Sequence, residues 1–144
     1  MEVKILKLHK DAVIPTYGSP DSAGADLYSV DDEILFEPNE TKFIHTGIAL
    51  EIPTGYVGLV YARSGLACKR SLAPANKVGV IDSDYRGEII VALHNHSLSA
   101  ESIEKGERIA HLVITPYLKA DFAEVLSLSD TERGSNGFGS TGKK

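Results

Sequence analysis

Residues 79–93 of the chain read Gly79-Val80-Ile81-Asp82-Ser83-Asp84-Tyr85-Arg86-Gly87-Glu88-Ile89-Ile90-Val91-Ala92-Leu93. Two glycines enclose a short acidic turn, and the apolar run 89–93 leaves it. This pattern predicts a β-hairpin with a polar tip. An Asp held just inside such a turn can accept a proton from water, and a nearby Tyr can stack on a flat ligand or a sugar. Turns favour Asp and Gly for conformational reasons alone, so this stretch by itself leaves a functional and a purely structural interpretation open.

The rest of the chain alternates between short apolar segments and turn residues. Strands are expected at residues 3–5, 34–36, 42–45, 48–50, 56–61, 88–94, 108–115 and 122–125. Short strands at this spacing, with glycines and prolines between them, predict an all-β fold, either a jelly-roll-like β-sandwich or a barrel. One short helix is expected to start at Ser64 as its N-cap, with Lys69 and Arg70 favourable at its C-terminal end.

Two of the apolar runs, residues 89–93 and 112–114, do not alternate with polar residues. Continuous apolar runs of this length predict strands that are buried on both faces or covered by another subunit.

Composition limits the classes of function. A chain of 144 residues is expected to form a single domain. A net charge of −5 argues against a nucleic-acid partner. No apolar run approaches the ~18 residues of a membrane span, so no membrane partner is expected. The single cysteine, Cys68, cannot form an internal disulfide, which favours a reducing compartment and predicts a cytoplasmic protein.

Four further segments carry groups suited to chemistry. Residues 23–27 place an Asp after a glycine turn, and residues 63–67 place Arg, Ser and free amides at a helix start, which is an anion-binding arrangement. Residues 105–111 lead into a strand. From residue 130 onward the chain is rich in glycine and lacks apolar periodicity, which is typical of a disordered terminus or a mobile flap.

In their order and spacing, the five segments resemble the trimeric dUTP diphosphatase (dUTPase) family, from residue 21 to residue 142. The resemblance implies a jelly-roll-like β domain over residues 1–129 and a flexible C-terminal flap over residues 130–144. It also implies a homotrimer whose three active sites are shared between subunits. The implied reaction is the hydrolysis of dUTP to dUMP and diphosphate with Mg²⁺. This reaction keeps uracil out of DNA and supplies dUMP for dTTP synthesis.

The resemblance assigns roles on the nucleoside side of the site. Asp82 matches the carboxylate that activates water. Asn76 and the backbone of Gly79, Val80 and Ile81 match the groups that read uracil, and Ile90 matches a further backbone contact. Tyr85 matches the ring that packs under deoxyribose.

The phosphate side is assigned in the same way. Arg63, Ser64 and Gly65 match the phosphate-binding segment, and Asp26 matches a carboxylate that acts on the metal through water. Arg133 matches a γ-phosphate ligand, assisted by Ser140 and Thr141. Phe138 matches a ring that stacks on uracil, and Gly139 allows the backbone to approach.

Three positions depart from the family pattern: Ala62 stands where proline is common, His111 where glutamine is usual, and Asn136 where glycine is common. Because residue 111 is histidine, a role of this position in phosphate binding is in question. Arg108 has two possible roles, as a phosphate ligand or as part of a structural ion pair. Two rival functions remain for the same scaffold, a dCTP deaminase-like enzyme and a non-catalytic trimeric nucleotide-binding or regulatory protein.

Overall fold

Residues 1–137, which the computed structural model describes, form eleven β-strands and one short α-helix. In chain order they are β1 (Lys4–Lys7), β2 (Thr16–Tyr17), β3 (Ala25–Tyr28), β4 (Ile34–Phe36), β5 (Thr41–Glu51), β6 (Tyr56–Ala62), α1 (Ser64–Arg70), β7 (Leu72–Pro74), β8 (Gly79–Ile81), β9 (Glu88–Asn95), β10 (Glu101–Ile103) and β11 (Arg108–Pro116). No helix in this part of the chain has the length and apolar character needed to cross a bilayer.

The strands form two main antiparallel sheets with one core between them. One sheet has the order β2-β3-β11-β6-β8 and the other the order β1-β5-β9-β7, while β10 and β4 form a separate pair. Buried side chains of both main sheets belong to a single cluster, with Leu27 and Ile109 from the first sheet and Ile44 and Leu93 from the second. The predicted all-β, jelly-roll-like fold is therefore confirmed.

The stretch 79–93 does not form the predicted hairpin. Strand β8 pairs with β6, whereas β9 pairs with β5 and β7, so the two strands lie in different sheets. Residues 82–87 therefore cross from one sheet to the other, and we call them the arch. A hairpin and an arch share the pattern of apolar strands around a polar turn, because alternation specifies the buried face of a strand and not its partner.

The strand β9 has one buried and one outer face in the single chain. Ile89, Val91 and Leu93 are buried, while Ile90 between them is exposed. The expectation of burial on both faces is therefore wrong for the chain alone. The open alternative, cover by another subunit, stays a prediction.

Residues 42–50 form one strand where two were expected. The register of β5 against β9 shifts between His45 and Ala49, which is a bulge, and Gly47 within it has a φ of +66°. A Cβ on Gly47 would lie 2.8 Å from the Cβ of His9. Glycine is needed here because positive φ and close approach both exclude a side chain.

Two other expectations also differ from the structure. Residues 122–125 form no strand: the described residues after β11, 117–137, pair with no sheet edge, and Phe122 is exposed. The helix α1 starts where expected, but its N-cap is Arg63, which makes no side-chain capping hydrogen bond, and Ser64 is the first helical residue.

We expect Gly47→Ala to destabilise the protein more than Gly55→Ala. Both glycines have positive φ, but a Cβ on Gly55 would meet no atom within 4 Å. The left-handed conformation alone costs about 1–2 kcal/mol, and overpacking adds roughly 1–3 kcal/mol at Gly47 only. Urea denaturation of the two variants measures the difference, and equal losses would contradict a steric role for Gly47.

Candidate functional site

The arch and the strands beside it enclose a cavity of about 250 Å³. We call it the arch pocket. Seven of the predicted site residues line it: Asn76, Gly79, Val80, Ile81, Asp82, Tyr85 and Ile90. They come from β8, the arch, β9 and the segment before β8, so the separation of β8 and β9 into two sheets opens the space between them.

The wall formed by β8 offers backbone groups to a ligand. Among residues 1–137, β8 is the last strand of its sheet and pairs on one side only, with β6. Edge strands leave backbone N–H and C=O groups free to pair with another molecule. Gly79 is tightly packed, because a Cβ there would lie 3.2 Å from the Cβ of Val60. The wall can therefore read the hydrogen-bonding edge of a flat polar ligand.

The arch is held in shape by its own residues. The Tyr85 backbone N–H donates to the carbonyl of Asp82 at 3.1 Å, and the Tyr85 hydroxyl donates to the carbonyl of Glu88 at 3.0 Å. Arg86 donates to the carbonyl of Ser83 at 2.7 Å. The exposed Asp82 therefore stands at the rim of the pocket on a segment closed by hydrogen bonds.

Gly87 is required by the packing of the arch. A Cβ on Gly87 would lie 2.3 Å from the Tyr85 hydroxyl oxygen. The Tyr85 ring can lie across the arch only because residue 87 has no side chain.

A second cavity of about 500 Å³ lies beside the start of α1. We call it the arginine pocket. Its lining includes the predicted residues Asp26, Arg63, Ser64 and Gly65, together with Gly18, Ser22, Ala23, Gly24, Arg108 and His111. Gly18, Ser22 and Ala23 were not predicted as site residues, and the only sequence signal for them was the turn before β3.

One buried carboxylate organises the cations of the arginine pocket. Asp26 is 4% exposed. Its Oδ1 lies 3.4 Å from Arg63 Nε, and its Oδ2 lies 3.3 Å from Arg108 Nη1. An arginine has five N–H donors, so both side chains keep donors for another anion. The first backbone amides of α1 also lack partners within the helix.

His111 contributes to the same cluster. Its Nε2 lies 3.1 Å from Asp26 Oδ1, but Oδ1 receives no hydrogen bond from the part of the chain that the structure describes. The distance between His111 Nε2 and Asp26 Oδ1 is short enough for an ion pair. The ring N–H is not directed at the oxygen, so the contact is not a hydrogen bond. The histidine packs close to β3, since a Cβ on Gly24 would lie 3.0 Å from the Cβ of His111.

The two pockets share no lining residue. Groups expected to hold a nucleobase line one pocket, and groups expected to hold phosphates line the other. Arg133 lines neither, and its Nε donates to the carbonyl of Asn136 at 3.0 Å. Phe138 and Gly139, like Ser140 and Thr141, lie outside the described residues.

The described part of the chain builds no cage for a metal ion. No three or more His, Cys, Asp or Glu side chains within residues 1–137 come together at a distance suited to one ion. Any ion bound here would need most of its ligands from water or from a bound molecule.

Comparison with known proteins identifies the family of this chain. A family profile described as dUTPase matches residues 10–142. The chain belongs to the dUTPase family.

Relatives in the family match the chain over its whole length. The deoxyuridine 5'-triphosphate nucleotidohydrolase of Nautilia profundicola is 52% identical over 143 residues, which cover 99% of this chain and 100% of that protein. The protein of the same name from a Hydrogenobaculum species is 47% identical over 144 residues and covers 100% of both chains.

Solved dUTPase structures share the fold. A mutant dUTPase of Staphylococcus bacteriophage 80alpha, determined with dUpNHpp, has a TM-score of 0.91 at 32% identity, with 98% of each chain covered. A mutant dUTPase of phage phi11 of S. aureus has a TM-score of 0.83 at 25% identity and covers 90% of this chain and 100% of that chain. That structure shows the coordination of a structural Mg(II) ion in the phage enzyme. The family resemblance seen in the sequence is thus confirmed.

An ionic contact supports the end of the arch. The Glu88 carboxylate accepts a hydrogen bond from the Gly47 N–H at 2.8 Å and pairs with His45 Nδ1 at 2.9 Å. The hydrogen bond with Glu88 raises the pKa of His45 against the opposing effect of partial burial, and the charge of Asp31 also favours the protonated ring. The first residue of β9 is therefore fastened to the bulge of β5.

We expect this contact to make stability depend on pH. Because the pKa of His45 is higher in the folded than in the unfolded chain, its stabilisation is full below the unfolded value of 6.5 and is lost as pH rises through the folded value. The pair is solvent-screened, so the effect should be roughly 0.2–1 kcal/mol. Urea denaturation of wild type and His45→Asn at low and high pH measures it.

Glu88→Gln supplies the control, because the amide oxygen still accepts from Gly47 but carries no charge. In that background the effect of His45→Asn should depend less on pH, because only the weaker effect of the Asp31 charge then favours the protonated ring. A pH dependence as large in the Glu88→Gln background as in wild type would show that another group is responsible.

Proposed function

We propose that this chain hydrolyses dUTP to dUMP and diphosphate, which limits uracil incorporation into DNA and supplies dUMP for dTTP synthesis. The proposal rests on the arch pocket, where an edge strand able to read a base lies beside an exposed carboxylate on a rigid segment. Relatives named deoxyuridine 5'-triphosphate nucleotidohydrolase and a neighbour solved with dUpNHpp support the same substrate. They favour neither the deaminase-like nor the regulatory alternative.

Uracil is read by Asn76 and by the backbone of Gly79, Val80 and Ile81, with Ile90 adding a backbone contact. Free N–H and C=O groups on an edge strand complement the O2, N3–H and O4 groups of uracil. Cytosine exchanges a donor and an acceptor, which would leave buried groups of the site unpaired and cost about 1–3 kcal/mol for each.

Tyr85 packs under the deoxyribose. Its ring is anchored by the hydrogen bond to the carbonyl of Glu88 and by its contact with Gly87, so it offers a fixed flat surface. A fixed ring has no room to yield to a 2′-hydroxyl, which gives the enzyme its preference for dUTP over UTP.

Asp82 acts as the general base. It takes a proton from a water molecule whose oxygen attacks the α-phosphorus. A new P–O bond forms there, the bond from the α-phosphorus to the oxygen of the β-phosphate breaks, and diphosphate leaves with that electron pair.

The phosphates are held by Arg63, Ser64 and Gly65 of the arginine pocket. Arg108 acts there as a further phosphate ligand while it pairs with Asp26. Arg133 of the C-terminal flap, residues 130–144, reaches the γ-phosphate, Phe138 covers the base, and Gly139 lets the backbone approach.

Mg²⁺ is the cofactor, carried by the phosphates of the substrate. Mg²⁺ keeps several waters and is commonly bound through substrate phosphates and one or two carboxylates, which fits a protein region without a ligand cage. Asp26 Oδ1, which lies beside Arg63 and His111 but accepts no hydrogen bond from residues 1–137, fits a role through water. Asp26 would hold the ion through water, and the ion would supply neutralisation of the phosphate charge.

The working form is a homotrimer in the cytoplasm, whose sites combine the arch pocket of one subunit, the arginine pocket of a second and the flap of a third. Membership of the dUTPase family supports this sharing, and in residues 1–137 the base-binding and phosphate-binding groups line separate pockets. The domain, residues 1–129, supplies both pockets.

We expect Asp82→Asn to bind dUTP but to lower kcat by roughly 10²–10⁴ fold, since the amide cannot take up a proton. Diphosphate release from dUTP with Mg²⁺ measures turnover. Asp84→Asn, which removes the second carboxylate of the same arch, is the matched control and should retain kcat. Normal turnover by Asp82→Asn would show that another group is the base.

A complementation experiment tests the sharing of sites. Asp82→Asn and Arg63→Gln subunits should each be nearly inactive alone, but mixed trimers made by co-expression should regain activity. Recovery is expected because some sites then combine an intact Asp82 and an intact Arg63 from different subunits. Mixtures that stay as inactive as the separate variants would place both residues in a site within one chain.

A further inference from the structure

The guanidinium of Arg70 joins three segments behind the arginine pocket. Arg70 is the last residue of α1, and its Nε donates to Glu101 Oε2 at 2.9 Å. Its two Nη groups donate to the carboxylate of Glu107 and to the carbonyl of Ser102. One side chain thus connects the helix to β10 and to the turn that leads into β11.

Hydrogen bonds also connect the turn at residues 104–107 to the chain after β3. The second carboxylate oxygen of Glu107 accepts from the Glu104 N–H at 3.1 Å. The carbonyl of Glu107 accepts from the Ser29 N–H at 2.9 Å, and the Gly106 N–H donates to the carbonyl of Ser29 at 2.8 Å. Glu107 is therefore a fixed anchor for Arg70.

The elements next to these contacts carry the arginine pocket: α1 directly, β11 through the turn before it, and β3 through the backbone hydrogen bonds of Ser29. The helix begins beside Arg63, β11 carries Arg108 and His111, and β3 carries Asp26. None of the contacts of Arg70 is made inside the pocket, because its partners Glu101, Ser102 and Glu107 do not line it.

Between its flanking strands β6 and β7, the helix has a small packing surface of its own. It is seven residues long and Leu66 is its only buried residue. Isolated helices shorter than about 12–15 residues are marginal in water. A guanidinium that reaches three acceptors is also a directional contact, which a single apolar side chain is not.

The carboxylates around Arg70 stabilise its charged form in the ion pairs. Partial burial opposes its charge, but the hydrogen bond with Glu101 and the charge of Glu107 hold the pKa of Arg70 above its usual range. Without Arg70, two carboxylates would face each other with no cation between them.

We propose that Arg70 is a positioning residue that sets α1 against β3 and β11 so that the arginine pocket fits the triphosphate. The inference rests on the proposed function, because it takes the arginine pocket as the phosphate site. Arg70 touches no phosphate itself, and it should affect the triphosphate end of the substrate without affecting the nucleoside end.

The test separates those two ends. Arg70→Gln should raise the KM for dUTP roughly tenfold, the size of effect seen when an outer positioning contact is lost. The inhibition constant of deoxyuridine, which occupies only the arch pocket, should stay within about twofold of wild type because the arch is not touched. Arg70→Lys should fall between, since an ammonium keeps the charge but cannot span three acceptors.

Lys69→Gln is the matched control. It removes the same charge from the same turn of α1, and within residues 1–137 Lys69 makes no side-chain hydrogen bond or salt bridge. Its KM for dUTP should equal that of wild type. A rise in KM with Lys69→Gln as large as with Arg70→Gln would reduce the effect to net charge and overturn the proposal.

Two other outcomes would also overturn it: an unchanged KM, or equal losses of affinity for dUTP and deoxyuridine. If Arg70→Gln does not fold, Glu107→Gln, which removes one anchor and keeps Glu101, must show the same selective rise in KM.

The proposed function is tested independently of the role of Arg70: it is wrong if the wild-type protein releases no diphosphate from dUTP. In that case binding of inorganic triphosphate with Mg²⁺ decides the inference. Weaker binding by Arg70→Gln than by Lys69→Gln supports it, and equal binding overturns it.

Discussion

The gap between the two sheets is the constraint on which the arch pocket depends. Sheets that pack face to face lie about 10 Å apart, and the chain must cross that gap between β8 and β9 because the two strands belong to different sheets. The arch makes the crossing and leaves a cavity beneath it. Tyr85 and Arg86 fold the arch onto its own carbonyls, so Asp82 is presented at the rim on a rigid segment rather than on a loose loop.

The arginine pocket depends on a different interaction, the neutralisation of a buried carboxylate. A buried charge is tolerated only when it is paired, and Asp26 is paired with side chains from two other parts of the chain. The same pairing collects cations in one place, although the net charge of the chain is −5. A second group of ion pairs lies at the C-terminal end of α1, where Arg70 pairs with the carboxylates of Glu101 and Glu107. Ionic contacts of this kind add to the hold that the flanking strands β6 and β7 have on a short helix.

Much of the architecture follows from local pattern. The strands β6, β9 and β11 were predicted within two residues, because seven to nine residues of apolar patterning between turns are a strong strand signal. The lining of the arch pocket was also predictable, because residues 76–90 lie close together in sequence and the family motif names them. The strands β2, β3, β7 and β10 were not predicted, because their two to four residues include polar residues or a proline; β4 is as short but was predicted because its three residues are all apolar.

By itself the sequence determined the class of fold, the family and most residues of the arch pocket, because each depends on residue types at short spacing. Only the tertiary structure decided that β8 and β9 enter different sheets, that β5 continues through a bulge at Gly47, and that residues 122–125 stay unpaired. Strand pairing depends on which strand edges, often far apart in the sequence, are free to form hydrogen bonds. The local pattern of apolar and polar residues does not specify these partners. For the same reason only the fold could bring Asp26, Arg63 and Arg108 around one cavity, since their attraction acts through space between segments far apart in the chain.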